Sequence, residues 1–127
     1  MDNRFPLKKL VVVIEDDAAI RMLVEDMMTD FFSRCVAFPT ADEGLQYLAS
    51  VQGVCDLVIA DYGVPGALTG ADLLKEVKQR WPGVPSILTS GYASEVIEIP
   101  PHVLYLQKPW SMEALSQAVR QVSFNPL

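Results

Sequence analysis

At 127 residues, half of them apolar and a fifth charged, the chain is long enough for one domain whose core needs no disulfide staple. A net charge of −6 argues against nucleic acid, which requires a basic face, and two cysteines are too few for a disulfide framework. No apolar run approaches the length of a membrane span, and Met1-Asp2-Asn3-Arg4 does not open a signal peptide, so a cytoplasmic protein is expected.

Lys9 leads into LVVVI (10–14), an apolar run of buried-strand type that ends on Glu15-Asp16-Asp17. Ile20, Leu23, Val24, Met27, Met28, Phe31 and Phe32 then recur at helical spacing, with Asp17 placed to cap the helix. A short second strand is expected over 34–38. Thr40-Ala41-Asp42-Glu43 matches a capping box and opens a helix predicted to bury Leu45, Leu48 and Ala49.

The third strand, LVIA (57–60), ends on Asp61 and breaks into Gly63, Pro65 and Gly66. Leu73, Leu74, Val77 and Trp81 mark a third helix, stopped by Pro82-Gly83. A fourth strand over 84–89 ends at Ser90-Gly91, and a fifth over 103–106 ends at Gln107-Lys108-Pro109. Ser111 caps a last helix through Leu115, Ala118, Val119 and Val122. Cys35 and Cys55 fall at strand starts, where a cysteine serves as a small core hydrophobe. Between the fourth and fifth strands only 92–102 remain, and Ile99-Pro100-Pro101 ends any helix there, so the fourth helix should be shortened. Strands alternating with helices call for an α/β domain with a parallel sheet covered on both faces. One domain is expected over 1–127, with its core over about 9–122.

Parallel strands bring their C-terminal ends to one edge, where open α/β sheets bind ligands. Four of the five strands finish there on polar residues: Glu15 and Asp16, Asp61, Ser90, and Lys108. Two carboxylates about 4 Å apart repel by roughly 4 kcal/mol at an effective dielectric of 20, so the acids need a cation. Oxygen ligands select a hard metal, and few protein ligands with several waters suit Mg²⁺, with Mn²⁺ as its substitute. Lys108 adds a fixed positive charge that can meet an anion, Ser90 a hydroxyl, and Gly91 space for a bulky group. Metal, lysine, hydroxyl and an oriented carboxylate together suit phosphoryl transfer onto Asp61.

The segments VVVIEDDAAIRML, LVIADYGVPG with the later Gly70, PSILTSGYA and YLQKPWS jointly resemble the receiver domain of two-component response regulators, from Lys9 to about Val122. The TSGYA wording is closest to receivers that stand alone or belong to hybrid kinases. The resemblance implies a flavodoxin-like, doubly wound, five-stranded sheet in the order 2-1-3-4-5. It implies that Asp61 is the phosphoacceptor and a metal ligand, that Asp16 touches Mg²⁺ and Glu15 acts through water, and that the Gly63 carbonyl is a further ligand. Ser90 corresponds to the switch hydroxyl, Lys108 to the family lysine, and Tyr105 to the switch aromatic. It also implies a cis peptide between Lys108 and Pro109. Gly63, Gly91 and Tyr92 flank the acceptor and are expected to gate water reaching a phosphoaspartate.

The expected function is a phosphorylatable switch that takes its phosphoryl group from a partner's phosphohistidine, on a histidine kinase or a histidine phosphotransfer protein. With no output domain expected after Val122, the switch is expected to signal through a downstream protein partner, with a phosphorylation-dependent homodimer among its assemblies. On this reading the chain is not an enzyme beyond catalysing its own phosphorylation and slow dephosphorylation. The first rival is a Mg²⁺-dependent phosphatase with an aspartyl-phosphate intermediate. Such enzymes carry a second acid two residues after the nucleophile, where this chain has Gly63. Other rivals are a receiver-like interaction module that is never phosphorylated, and a flavodoxin-like cofactor carrier. The acid-lined crevice would repel a flavin phosphate. His102, the lone histidine, begins the fifth strand at the opposite edge and cannot donate to Asp61 in the same molecule.

Overall fold

The computed structural model describes residues 7–92 and 96–124. Its elements are β1 (Lys8–Ile14), α1 (Ala18–Met28), β2 (Phe32–Phe38), α2 (Ala41–Ser50), β3 (Leu57–Asp61), α3 (Gly70–Arg80), β4 (Ser86–Ser90), β5 (Leu104–Gln107) and α4 (Met112–Ser123). All neighbouring strands are parallel, in the expected order β2-β1-β3-β4-β5. β3 is buried at every position, which is why it reads as an unbroken apolar run.

Strand alternation divides the core in two. Val11, Val13, Leu57, Ile59 and Ile87 pack with α1 and α4, through Val24, Met27, Met28, Leu115 and Val119. Val12, Ile14, Val58, Ala60 and Leu88 pack with α2 and α3, through Ala41, Leu48, Leu73, Leu74 and Val77. The same alternation assigns the residues at the sheet's carboxyl edge to faces. Asp61 and Thr89 follow Ile59 and Ile87 onto the α1/α4 face, whereas Ser90 and Tyr105 belong with Leu88 on the α2/α3 face.

The four helices among the described residues all start on a side-chain cap. Asp17, Thr40, Thr69 and Ser111 accept from the backbone N–H of Ile20, Glu43, Asp72 and Ala114, each cap contributing about 1 kcal/mol. At Thr40 the Thr40 half of the predicted capping box is in place; the full reciprocal pair forms at Thr69 and Asp72.

Several local expectations change. The first helix stops at Met28, with Thr29 as C-cap, and Phe31 N–H turns back to the Met28 carbonyl, so Phe32 opens β2 rather than closing the helix. Ala41 and Gly44 are buried on α2 in place of Ala49, because the helix presents its first turn to Ile14 and α3. The shortened fourth helix expected between β4 and β5 falls in part on residues 93–95, which lie outside the described residues. The described part of the segment holds bends and turns and no helix, and Pro100-Pro101 remove two backbone donors there. His102 is exposed, with φ of 64°, just ahead of β5.

Val11 pairs with Cys35 on one side and Leu57 on the other, so two strand spacings, about 10 Å, separate Cys35 from Leu57. Cys55 lies two residues before Leu57 and packs with the other half of the core, so the two cysteines are beyond disulfide reach. Both thiols are free. Burial, with Glu25 nearby, pushes Cys35 up to about 12 from an ordinary 9.0. Burial likewise pushes Cys55 up to about 11, with a smaller contribution from Asp56. A shift of three units leaves roughly a thousandth of the usual thiolate at Cys35. Alkylation by iodoacetamide at pH 8 should therefore run at least about 100-fold slower in the native protein than in urea. Equal rates in the two states would contradict this. Because the native values are raised, stability should also fall as pH climbs above about 9.

Candidate functional site

The carboxyl ends of β1, β3 and β5 place Glu15, Asp16, Asp61 and Lys108 together. One carboxylate oxygen from each of the three acids lies within 4.8 Å of the others. Glu15 and Asp61 are 4% and 7% exposed, whereas Asp16 is open to solvent. Lys108 Nζ stands 2.7 Å from Glu15 Oε1 and 3.1 Å from Asp61 Oδ1. Its position follows from backbone pairing, since Lys108 N–H donates to the Ser90 carbonyl at 2.7 Å, and the next peptide, Lys108-Pro109, is cis as expected.

Each acid is held differently. The second oxygen of Glu15 accepts from Asp17 N–H at 3.1 Å, so both its oxygens are engaged. Burial raises the Glu15 pKa above the ordinary glutamate range, and the Lys108 and Asp17 hydrogen bonds only partly offset it. Burial also disfavours the Lys108 ammonium, but Glu15 and Asp61 outweigh it and hold its pKa above the usual lysine value. Arg21, one turn into α1, donates from Nη1 to the Glu15 carbonyl at 2.8 Å and reaches the Asp16 carbonyl at 3.4 Å. That brace fixes the acidic turn.

These donors fit a hard divalent cation. They are all oxygens, they gather on the solvent side of a buried pair, and the Asp16 carboxylate makes no hydrogen bond among the described residues. The cluster carries three potential negative charges against one lysine, so it favours a further cation.

Ser90 is buried at the same edge, but its oxygen is occupied locally, accepting from Tyr92 N–H at 2.9 Å. Tyr105 donates its hydroxyl to the Tyr92 carbonyl. The Tyr92 ring meets Tyr62 edge-on, with centroids 6.1 Å apart. Ser90, Tyr92 and Tyr105 thus form one linked set beside the acids rather than a contact with Asp61. A side chain at Gly63 would stand 3.8 Å from Asp61 Oδ2, and one at Gly91 would enter open space. The hydroxyl that does reach Asp61 belongs to Thr89, 3.3 Å from Oδ1. Sequence reading passed over it in favour of Ser90, and only the register Asp61↔Thr89 reveals it. Arg21 was likewise missed, although its place four residues after the capping aspartate puts it one turn above the acids.

Residues 11–120 match the response regulator receiver domain family. Over 119 residues the chain is 30% identical to the DNA-binding transcriptional regulator NtrC of Escherichia coli K12, covering 90% of this chain and 25% of that protein. Over 116 residues it is 32% identical to the hydrogenase transcriptional regulatory protein HoxA of Cupriavidus necator, covering 87% and 23%. The chain therefore spans about a quarter of these relatives' length. In structure it is similar to the signal receiver domain of an HD domain-containing protein from Pseudomonas fluorescens Pf-5, with a TM-score of 0.80, 23% identity, and coverage of 98% and 93%. With an acidic cluster at the carboxyl edge of a 2-1-3-4-5 sheet and a family match over nearly its whole length, the chain belongs to the response regulator receiver domains of two-component signalling.

Proposed function

We propose that Asp61 accepts a phosphoryl group from a partner's phosphohistidine and that the chain signals through the protein contacts this changes. The observation that carries the reading is the environment of Asp61. It is a nearly buried carboxylate at a strand end, bound to Lys108 and beside two further acids. In the transfer, an Asp61 oxygen attacks phosphorus, the phosphorus–nitrogen bond breaks, and the imidazole leaves with a proton. Asp16, Asp61 and the Gly63 carbonyl would hold Mg²⁺ or Mn²⁺, with Glu15 acting through water. That ion would offset the acids' charge and that of the incoming phosphoryl oxygens. Lys108 supplies a positive charge that can turn from Glu15 and Asp61 to the phosphoryl group.

Beside Lys108 lies a groove of about 420 Å³ lined by Ile20, Leu23, Gly91, Pro109 and Trp110. A histidine kinase or phosphotransfer protein covering it would bring its phosphohistidine against Asp61. Once the acyl phosphate forms, Ser90 turns toward it and releases the Tyr92 N–H, and Tyr105 follows through its bond to the Tyr92 carbonyl. A downstream protein, or a second copy, then reads the altered β5 and α4 face.

Acetyl phosphate tests this without knowledge of the partner. In Mg²⁺ the protein should take up one phosphoryl group, seen by intact mass, and EDTA should prevent it. Steady turnover of p-nitrophenyl phosphate would instead favour a phosphatase, and no incorporation would favour an interaction module. Gly63 and Tyr92 set the lifetime of the product. Gly63→Asn and Tyr92→Glu should each shorten the phosphoryl half-life by on the order of tenfold, a barrier change of about 1.4 kcal/mol. Unchanged half-lives in both variants would overturn the gating role.

A further inference from the structure

We infer that Thr89 is a positioning residue that fixes which Asp61 oxygen is free to react; the inference rests on Asp61 being the phosphoacceptor. The β3–β4 register sets Thr89 directly beside Asp61, on the same face of the sheet. Thr89 is 4% exposed, and its Oγ1 donates to Asp61 Oδ1 at 3.3 Å. Lys108 Nζ approaches the same oxygen at 3.1 Å. Oδ1 therefore has two donors, whereas Oδ2 has none among the described residues and lies toward Gly63, where no side chain stands.

The two donors are not equivalent. Lys108 reaches Asp61 on a flexible four-carbon stem, and its shorter contact is to Glu15, at 2.7 Å. It cannot by itself fix the plane of the Asp61 carboxylate. Thr89 can, because a β-branched side chain on a buried strand has a stiff χ1 and its hydroxyl direction is set by the sheet. Removing Asp61 would also leave that hydroxyl buried without its acceptor, so the pair is mutually dependent. Before phosphorylation Ser90 does not share this role, since alternation sets it on the other face and its oxygen accepts from Tyr92 N–H.

The result is a nucleophile with one oxygen tied down and the other presented. In transfer from acetyl phosphate, the Oδ2–phosphorus bond forms, the donor's phosphorus–oxygen bond breaks and acetate leaves. Oδ1 becomes the carbonyl oxygen of the acyl phosphate, still within reach of Thr89. When Lys108 turns toward the phosphoryl group, Thr89 is the donor that stays.

The test compares wild type, Thr89→Val and Thr89→Ser for phosphorylation by acetyl phosphate in saturating Mg²⁺. Valine keeps the shape and stiffness but has no hydroxyl. The maximal rate should fall about tenfold in Thr89→Val, with the half-saturating acetyl phosphate concentration unchanged, and return to within about threefold of wild type in Thr89→Ser. Should Thr89→Val not fold, Thr89→Ala is read in its place against the same expectation. A Thr89→Val rate equal to wild type, or an equal loss in valine and serine variants, overturns the positioning role while leaving Asp61 as acceptor. A wild type that takes up no phosphoryl group overturns both.

Discussion

Replacing Lys108 by methionine should lower the unfolding free energy by about 2–3 kcal/mol at pH 7. Methionine preserves most of the stem's packing but removes the charge, so the loss reports the ion pairs. Glu15 and Asp61 are both nearly buried, and Lys108 bridges them at 2.7 and 3.1 Å. Breaking a fully buried pair costs about 3–5 kcal/mol; the smaller figure reflects a lysine side chain that is 20% exposed. The sign with pH follows from the shifts. Lys108 has a raised pKa, so its contribution is intact below the ordinary value of 10.5 and is lost only as pH rises through its folded value. Glu15 also has a raised pKa, so the native state takes up its proton more readily than the unfolded chain. The deficit of the variant should therefore shrink as pH is lowered from 7 toward 5. Urea unfolding at the two pH values measures it. A loss below about 0.5 kcal/mol at pH 7 would mean the lysine forms only a solvated surface pair.

Gly70→Ala should destabilise the protein by about 3 kcal/mol and slow phosphorylation of Asp61 as well. A Cβ at Gly70 would sit 2.2 Å from the Asp61 carbonyl oxygen and 2.7 Å from its carbon. These are backbone atoms of the central strand and cannot rotate aside. Gly70 N–H also donates to the Tyr62 carbonyl at 3.2 Å, so the start of α3 is docked on the residue that follows the acceptor. Alanine normally favours a helix over glycine by about 1 kcal/mol, which makes a loss here diagnostic of the clash. Gly83→Ala is the control, because nothing lies within 4 Å of a Cβ there. Equal thermal stability of the two variants would remove this account of how Asp61 is held.

The strand ends were legible because each combines an apolar run with an abrupt polar residue, as in LVIAD, and parallel topology then gathers them without further information. Asp17 and Ser111 were legible as caps for the same local reason. What escaped depends on partners distant in sequence. Thr89 reads as one more β-branched strand residue until the Asp61↔Thr89 register is known. Phe32 continues a helical spacing that the Thr29 cap interrupts, and the burial of Gly44 rather than Ala49 escapes because periodicity does not say which side of the stripe meets Ile14. The Tyr62–Tyr92–Tyr105 linkage joins three segments and has no sequence signature. The assignments of Gly63, Tyr105 and the cis peptide came from family resemblance rather than from pattern, and of these the cis bond is present.

The most direct measurement of the account is where the phosphoryl group goes. After phosphorylation with acetyl phosphate and Mg²⁺, borohydride reduction converts an aspartyl phosphate to homoserine, which peptide mass spectrometry places in the sequence. Homoserine should be found at position 61 alone, and Asp61→Asn should yield none there or elsewhere. Homoserine at position 16, or a phosphorylated Asp61→Asn protein, would contradict the assignment of Asp61 as the acceptor.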